Sequence, residues 1–434
     1  MKRDIQAPRP PARRGLLPSP PSWAGRTFQL LVTASFITSI GNSGAVIAAA
    51  YAVIDQGGDA TDVGLVAAPR TLAMVVFLLI GGAVADRVAR QRVMVVANSA
   101  NAASQGIFAL LVLTGHPALW QMALLTAAGG TAQAFFSPAS EGMVLSTVET
   151  AHAGKAFSVF RLSMNGASIG GAALGGALVA GVGPGWVLAA DAAGFAVAAG
   201  LRARLDVVAA ERAEPSGGIL RDLREGWREF ASRSWLWGIV AQFAVVNSVV
   251  SGCEAVYGPL VAREHLGGAG PWGLALAATG IGTVAGGLLM MRWRPRRMLL
   301  VGTLGVFPLA LPPAALAFAP RLWVLVPVMF AAGVAIEVFA VGWMLALHQE
   351  IPAEKMSRVA AYDWFGSVAM TPLALAAAGP AAAVFGRTQA LWGSAALVVL
   401  LTGAVLVLPE VRRLERRPAA RPVVPAPPVA EPAA

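Results

Sequence analysis

Two acidic residues, Glu254 and Glu337, interrupt long apolar stretches of this 434-residue sequence. An ionisable side chain in such a stretch is costly to bury and is by default a functional candidate. A carboxyl group in low-dielectric surroundings holds a proton more readily than it does in water, so it can load and unload one. Both glutamates are therefore candidate proton carriers. Binding of a cationic substrate and pairing with a basic residue stay open as alternatives.

Other charges interrupt the apolar stretches less deeply. Arg70 needs a partner, and the first outer loop supplies acids near it in sequence, among them Asp55 and Asp62, so we expect a structural ion pair, with Asp55 as the partner. Asp191 stands near the start of an apolar stretch, where we expect it to cap a helix or to reach toward water.

Charge is concentrated in one short segment, GGAVADRVARQRVM, at residues 81–94. Asp86 and Arg90 stand four residues apart, a spacing that allows a local ion pair on a helix. The glycine pair that opens the segment allows close approach of neighbouring helices in a membrane. The arginines are explained by membrane topology alone, whereas an acid is not needed there for topology.

The composition is that of a membrane protein. Hydrophobic residues make up 56% of the chain and charged residues 13%. Apolar stretches of about 20 residues, the length that crosses roughly 30 Å of hydrocarbon, recur along the chain. They predict an all-α protein of twelve transmembrane helices: 28–53, 62–85, 93–113, 118–142, 157–180, 185–201, 235–261, 272–292, 297–318, 321–347, 359–379 and 386–408.

The basic residues orient these helices. If both termini are cytoplasmic, 29 of the 33 lysines and arginines fall on cytoplasmic segments and three fall on outer loops. The remaining one is Arg70, within a helix. Because basic residues collect on the cytoplasmic side of membrane proteins, both termini are predicted to be cytoplasmic.

The sequence predicts five regions. They are a basic, proline-rich cytoplasmic arm (1–26), a six-helix half (27–201), a cytoplasmic linker (202–234), a second six-helix half (235–408) and a Pro/Ala-rich tail (409–434). The linker contains LRDLREGWREFASR, whose apolar residues are spaced as on an amphipathic helix. That helix either lies at the membrane surface or is a solvated connection.

The two halves share an internal repeat. GGAVADRVARQRVM in the first half and GGLLMMRWRPRRM in the second start with a glycine pair, Gly81–Gly82 and Gly286–Gly287, and place arginines at matching positions. The segments join equivalent helices, as expected for a transporter class built of parallel repeats. Asp86 is not repeated, because it aligns with Met291.

These features resemble the major facilitator superfamily, whose motif between helices 2 and 3 reads G-x-x-x-D-[RK]-x-G-[RK]-x-[RK]. Here the motif residues are Gly82, Asp86, Arg87, Arg90 and Arg92, with Ala89 where glycine is usual. The stretches FFSPASEGMV, GGAALGGAL, HQEIPAEKMSRVAAYD and TPLALAAAGP are similar to its drug-efflux branch, which includes macrolide-efflux and enterobactin-export proteins. The antiporter signature on helix 5, usually Gly-Pro, reads Gly171-Ala172.

The resemblance implies a twelve-helix fold in which Asp86 closes a cytoplasmic gate against the start of helix 11, with Asp363 as a further gate partner. It also implies that helices 1, 4, 7 and 10 line a central cavity. This places Glu254 and Glu337 in that cavity and makes polar and aromatic residues of these helices its substrate surface: Asn42, Ser43, Gln133, Ser137, Asn247, Tyr257 and Trp343.

The expected function is secondary transport: proton-coupled antiport of drug-like molecules or secondary metabolites by alternating access, with a role in antibiotic resistance. Export of a siderophore or a lipid, and a transport-inactive sensor of the same fold, are the alternatives. We expect no enzyme activity, no metal site and no cofactor besides the proton gradient. The expected partners are a small-molecule substrate and the lipid bilayer, without nucleic acid, for a monomer in the inner (cytoplasmic) membrane.

Overall fold

The computed structural model describes residues 23–115, 117–205, 219–293, 295–318 and 321–415. Most of the predicted arm (1–26), part of the linker (206–218) and most of the tail (409–434) lie outside these ranges. Every regular element within them is a helix.

The helices follow the predicted order. They are α1 (Arg26–Ile54), α2 (Ala60–Arg87), α3 (Arg90–Thr114), α4 (Leu119–Ser146), α5 (Ala153–Val182), α6 (Pro184–Ala203), α7 (Ile219–Ala231), α8 (Ser234–Leu266), α9 (Ala269–Arg292), α10 (Met298–Phe318), α11 (Leu322–Glu350), α12 (Ala353–Val368), α13 (Thr371–Phe385), α14 (Arg387–Leu406) and α15 (Pro409–Arg413). Helix α12 and helix α13 follow one another as one span.

Eleven spans among the described residues are long and apolar enough to cross a membrane. Helix α4 has the length, with 28 residues, but Gln121 and Gln133 lower its mean hydropathy. It packs along α2 and α3 like the other spans, so it takes the place of a twelfth. The chain is an all-α membrane protein with the predicted number of spans.

The same pattern of helix contacts occurs twice. In the first six-helix bundle α2 packs on α4, α1 on α5 and α6, and α3 on α6. In the second, α9 packs on α11, α8 on α13 and α14, and α10 on α14. The two bundles meet where α2 contacts α13 and where α5 contacts α9, which are also equivalent pairs. The sequence repeat therefore corresponds to a structural repeat.

The repeated glycine pairs have a packing role at their first residue. A Cβ atom on Gly81 would meet the backbone carbonyl of Ala134 on α4 within van der Waals contact. A Cβ atom on Gly286 would likewise meet the carbonyl of Val334 on α11. Only a residue without a side chain allows these backbones to approach so closely, which explains why both copies begin with glycine.

The bundles are closed against each other at one end, which we call the Asp55 end. The Asp55 carboxylate there lies 3.3 Å from the Arg263 guanidinium of the other bundle. The Tyr51 hydroxyl donates a hydrogen bond of 3.2 Å to the Pro259 carbonyl. Gly64 packs directly on the backbone of Leu375, so α2 and α13 touch without side chains between them.

The opposite end, which carries α7 and is called the linker end, is organised differently. One apolar cluster at the Asp55 end contains buried residues of both bundles, such as Ile47 and Trp272. At the linker end one cluster belongs to the first bundle, around Met94 and Met143, and another to the second, around Trp235 and Leu347. The bundles thus share a core at one end and have separate cores at the other, which leaves a cleft that opens toward the linker end.

Helix α7 docks on the second bundle. Glu229 accepts hydrogen bonds from Lys355 at 2.7 Å and from Arg233 at 2.9 Å. Phe230 is buried against Tyr362, with ring centroids 5.9 Å apart, and stacks on Trp227. The apolar face predicted from the linker sequence therefore packs, in its described part, on α12. Helix α7 is therefore docked on the second bundle and is not a free, solvated connection, and its location at the membrane surface stays a prediction.

Substituting Gly64→Ala is expected to loosen the closed Asp55 end, because the new Cβ would meet the Leu375 carbonyl. Spin labels at the exposed positions Gln56 and His265 report the separation of the bundles there, and the native Cys253 is buried and does not compete for labelling. We expect a longer, broader distance distribution by pulsed electron paramagnetic resonance. Gly181→Ala, at the same end with open space around it, is the control. An unchanged distribution would show that this glycine contact does not hold the end closed.

Docking of α7 is expected to depend on pH through Glu229. The hydrogen bonds from Lys355 and then Arg233 hold the pKa of this carboxyl below its usual range. A lowered pKa in the docked state stabilises docking above the ordinary carboxyl range, and the effect is lost as pH falls through the lowered value. Hydrogen exchange of residues 219–231, corrected for intrinsic rates, should rise on acidification. Glu229→Gln should raise it already at neutral pH, whereas Glu149→Gln on the exposed α4–α5 connection should not.

Candidate functional site

The cleft between the bundles has its floor at Glu254. From Val256 to Ala262 every residue of α8 is buried, in the layer that closes the Asp55 end. Immediately before that layer Asn247, Ser251 and Glu254 are partly accessible. Their spacing of four and three residues puts them on one face of the helix. Glu254 is thus the last partly accessible acid of α8 before the closed layer begins.

Helix α8 changes its hydrogen-bonding pattern at Glu254. Residues Cys253–Tyr257 form a π-helical turn, and Ala262–Leu266 form a second. Pro259 lies between them and has no N–H to donate to the preceding turn, which explains why the α-helical ladder is interrupted there. Single π turns inside α-helices recur at functional sites, because they redirect side chains locally.

The π turn adds one residue relative to the repeat. Asn42 and Asn247 are separated by the same 205 residues as Gly81 and Gly286, so they occupy equivalent places on α1 and α8. Nine residues separate Asn42 from Tyr51, but ten separate Asn247 from Tyr257. The extra residue falls at the π turn that carries Glu254.

The second candidate carboxylate, Glu337, lies on α11. It is partly accessible, its side chain lies against Gly286 and Gly287 of α9, and it interacts electrostatically with Arg161 on α5 of the other bundle. An acid and a base of the two bundles thus face one another across the cleft. This arrangement fits the alternative in which Glu337 pairs with a basic residue better than it fits a free proton carrier.

Most of the predicted substrate residues are hydrogen-bonded to their surroundings. Asn42 Oδ1 accepts from Arg70, the Ser43 hydroxyl pairs with that of Ser168 at 2.9 Å, Gln133 donates to Ser137 at 3.0 Å, and Asn247 donates to the Ser367 carbonyl at 3.2 Å. These side chains are partly accessible, so they can still face the cleft while they hold helices together.

Two of the predicted substrate residues are placed differently. The Tyr257 hydroxyl donates a hydrogen bond of 2.5 Å to the Ala378 carbonyl, and its ring is buried. Trp343 is only 8% exposed, stacks on Phe339 and donates from Nε1 to Asp363 at 2.9 Å. The polar groups of both aromatic residues donate hydrogen bonds to other residues of the second bundle. Their assignment to the substrate surface was therefore wrong for this conformation.

The predicted ion pair of Arg70 with Asp55 does not form. Arg70 donates to Asn42 Oδ1 at 2.5 Å, and Asp55 faces Arg263. The expectation failed because it considered acids near Arg70 in sequence, whereas the partner of Asp55 comes from the other bundle.

The motif segment at the linker end is described in part. Arg90 begins α3 and donates from Nη1 to the Gly142 carbonyl at 2.9 Å, which ties α3 to the end of α4. Arg87 and Arg92 are exposed, and there is open space around Gly82. The side chain of Asp86 lies outside what the structure describes, so its predicted ion pair and its gate role stay predictions.

Asp363, the predicted gate partner, is held within its own bundle through its hydrogen bond from Trp343. Its contact with the motif segment therefore stays a prediction.

Sequence reasoning missed a group of buried polar residues in the first bundle. Asp191 on α6 is 1% exposed, which corrects the expectation that it caps a helix or reaches water. Arg202 is also buried, donates to Ser35 at 2.8 Å and stacks over the ring of Phe136. A signal was available for Asp191, because it stands a full two turns inside an apolar helix that begins at Pro184.

The residues that the structure describes include no group of three or more His, Cys, Asp or Glu side chains that could hold a metal ion. Two pseudo-equivalent six-helix bundles around a cleft, with ionisable groups on the cleft helices, are the architecture of a membrane transporter. Residues 31–370 match the model of the Major Facilitator Superfamily, and the chain belongs to that family. It is a transporter and not an enzyme.

Relatives agree with this assignment. The chain is 27% identical over 405 residues to the multidrug efflux pump Tap of Mycolicibacterium fortuitum, a match that covers 89% of this chain and 96% of that one. Among solved structures it is similar to the nucleoside transporter NupG, with a TM-score of 0.72, 14% identity and coverage of 90% and 100%. A bacterial homolog of the human lysosomal transporter Spinster gives a TM-score of 0.66, 15% identity and coverage of 89% and 97%.

Substituting Tyr257→Phe is expected to destabilise the second bundle by about 1 kcal/mol, the usual net worth of one hydrogen bond. The loss should appear as a lower unfolding midpoint in detergent. Affinity for transported compounds should stay unchanged, because the hydroxyl is bonded to α13. Ser394→Ala, which removes a hydrogen bond to the carbonyl of Ala390 on its own helix, is a matched control for losing a hydroxyl beside Tyr257. If Tyr257→Phe lost affinity for transported compounds at unchanged stability, the original assignment of Tyr257 to the substrate surface would be supported instead.

Proposed function

We propose that the protein exports drug-like or secondary-metabolite molecules in exchange for protons, by alternating access of a site between the bundles. The observation that carries the proposal is the position of Glu254, a partly accessible acid on a π turn at the floor of the cleft. There a proton can be exchanged with whichever side the cleft opens to. Protons enter the cell as substrate leaves it.

The direction of the cleft follows from the charge count. The linker end carries the basic segments, so it is the cytoplasmic end of a protein of the inner membrane with both termini inside. The conformation described above is then open to the cytoplasm and closed outside. In the opposite conformation the bundles separate at the Asp55 end and approach at the linker end. Asp86 then meets the amino-terminal end of α12, where the helix dipole favours an acid.

The substrate class is proposed from the lining of the cleft. Amide and hydroxyl groups of Asn42, Ser43, Gln133 and Asn247 are dispersed among apolar residues, with the carboxyl of Glu254 below them. Such a surface suits lipophilic and cationic compounds. The relative from Mycolicibacterium fortuitum is a multidrug efflux pump, and the similarity to it supports the same class. We propose that a single chain is competent for transport.

Glu254→Gln is expected to abolish proton-coupled transport while the protein stays folded. In proteoliposomes with an acidic lumen, wild-type protein inserted with its linker end outward should accumulate ethidium, used as the probe, as protons leave. The variant should accumulate no more than liposomes without protein, because an amide cannot bind and release the proton. Glu149→Gln, at an acid whose side chain is 87% exposed, controls for the chemical change.

The outcomes separate the rival functions. Full coupling in Glu254→Gln would show that another group carries the proton. If wild-type protein moves neither protons nor any compound of a panel of antibiotics and cationic dyes, the transport-inactive sensor is favoured. Proton-driven movement of a ferric-siderophore ligand or of a fluorescent phospholipid, without movement of ethidium, would favour the siderophore or lipid exporter.

A further inference from the structure

The buried carboxyl of Asp191 is not explained by packing. Neither of its oxygens makes a hydrogen bond of good geometry among the described residues, although the residue is 1% exposed, and the side chain of Gln105 is its one weak hydrogen-bonding neighbour there. It lies directly against Gly41 of α1, where a Cβ atom would collide with Oδ1. An ionised carboxylate that is buried without partners is very costly, whereas the neutral acid is much less so. The surroundings of Asp191 in this conformation therefore suit the protonated acid.

One cation stands near this acid but is bonded elsewhere. Arg70 of α2 interacts electrostatically with Asp191 and donates its hydrogen bond to Asn42, the residue after Gly41. Gly41 of α1 and Gln105 of α3 also lie at Asp191, and both are neutral. Arg202, on α6 itself, is eleven residues away, about 16 Å along the helix. Arg70 is thus the charge that an ionised Asp191 would attract.

A cavity lies beside Arg70 and Gln105, the two side chains of other helices that interact with Asp191. It has a volume of about 200 Å³ and is lined by Arg70, Gln105 and Thr126 of the first bundle and by Ala255 of the second. Ala255 directly follows Glu254. The cavity has room for several water molecules, and Arg70, Gln105 and Thr126 offer polar groups to bind them, so water can reach the neighbours of Asp191.

The second bundle lacks this arrangement. Gly183 and Gly386 both adopt positive φ, of 89° and 86°, and each precedes the last helix of its bundle. Counting from these glycines, Asp191 corresponds to Ser394, whose hydroxyl donates to the carbonyl of Ala390 within its own helix. The acid is thus specific to the first bundle, where the repeat would otherwise place a small polar residue.

We propose that Asp191 is a proton-binding site of the first bundle, and that its ionisation draws Arg70 from Asn42 to Asp191. The hydrogen bond between α1 and α2 is then broken when the proton leaves and restored when it returns. The binding step transfers one proton to a carboxylate oxygen, and no other bond is made or broken. This inference rests on the proposed proton coupling and adds a second site to it, away from Glu254.

Infrared spectroscopy of the full chain in membranes tests the proposal without a substrate. During a pH titration the carbonyl stretch of protonated carboxyl groups is followed in the wild type and in Asp191→Asn. We expect the variant to lose one titrating carboxyl, whereas Glu149→Gln should not change the buried component. An unchanged carboxyl signal in Asp191→Asn would overturn the proposal.

A second variant keeps the test decisive if Asp191→Asn is not recovered folded. Asp191→Ser introduces the residue found at the equivalent place of the second bundle and should lose the same titrating group. In proteoliposomes, loss of this group should shift the pH profile of ethidium transport, whereas a purely structural acid would lower transport equally at every pH. An unchanged profile together with an unchanged carboxyl signal overturns the inference.

The experiments test the assignments of Glu254 and Asp191 as proton-binding sites independently of each other. If Glu254→Gln abolishes coupling and the Asp191 variants titrate like the wild type, the proposed function stands and Asp191 is structural. If Glu254→Gln stays coupled and the Asp191 variants lose the titrating group, Asp191 remains a proton site and the role of Glu254 is wrong.

Discussion

Contact between helix backbones at glycine residues is the constraint on which the rest of this structure depends. The hydrocarbon interior of a bilayer contains no water, so the hydrophobic effect does not drive helices together there. Their association depends on close packing instead. Gly64 against Leu375 and the contacts of α5 with α9 bring the two bundles together at one end without long side chains between them. These contacts lie at the Asp55 end, so the bundles are held together there and diverge toward the linker end. The position of the glycines that join the two bundles therefore determines where the cleft lies.

The two bundles share a packing scheme but differ in where they place ionisable groups. The second bundle carries Glu254 and Glu337, both partly accessible, on α8 and α11, which border the cleft. The first bundle instead buries Asp191 on α6 and holds the half-buried Arg70 of α2 near it. Packing of small residues tolerates little variation, because a single Cβ atom blocks it. The positions of ionisable residues are less constrained by packing, and here they differ between two bundles whose helix packing is nearly equivalent.

Much of the fold could be predicted from the sequence, because the length of an apolar stretch and the distribution of arginines are set by the bilayer. The helix order, the repeat and the family followed from such local features. The partners of side chains could not be predicted. Arg70 was paired with Asp55 because the two are near in sequence, whereas Arg263 is supplied by a helix about 200 residues later. Tyr257 and Trp343 stand on the expected helices, but rotation about the helix axis directs them into a bundle core.

Glu254 illustrates the limit most clearly. A pattern of apolar residues locates this acid in a membrane helix. No periodicity in the sequence predicts the change from α-helical to π-helical hydrogen bonding around it. Only the comparison of Asn42 and Tyr51 with Asn247 and Tyr257 exposes the additional residue. That comparison needs the equivalence of α1 and α8, which the three-dimensional packing supplies.

The added residue in α8 has a consequence for the ancestry of the molecule. If both bundles descend from one duplicated six-helix unit, a single inserted codon in the second copy would leave a π turn, because the helix ends were already fixed by their neighbours. The π turn absorbs such an insertion, so Tyr257 keeps the place of Tyr51, and only the side chains of the turn itself, Glu254 among them, are redirected. A change too small to alter the fold would thus have separated the two copies at the acid on which transport is proposed to depend.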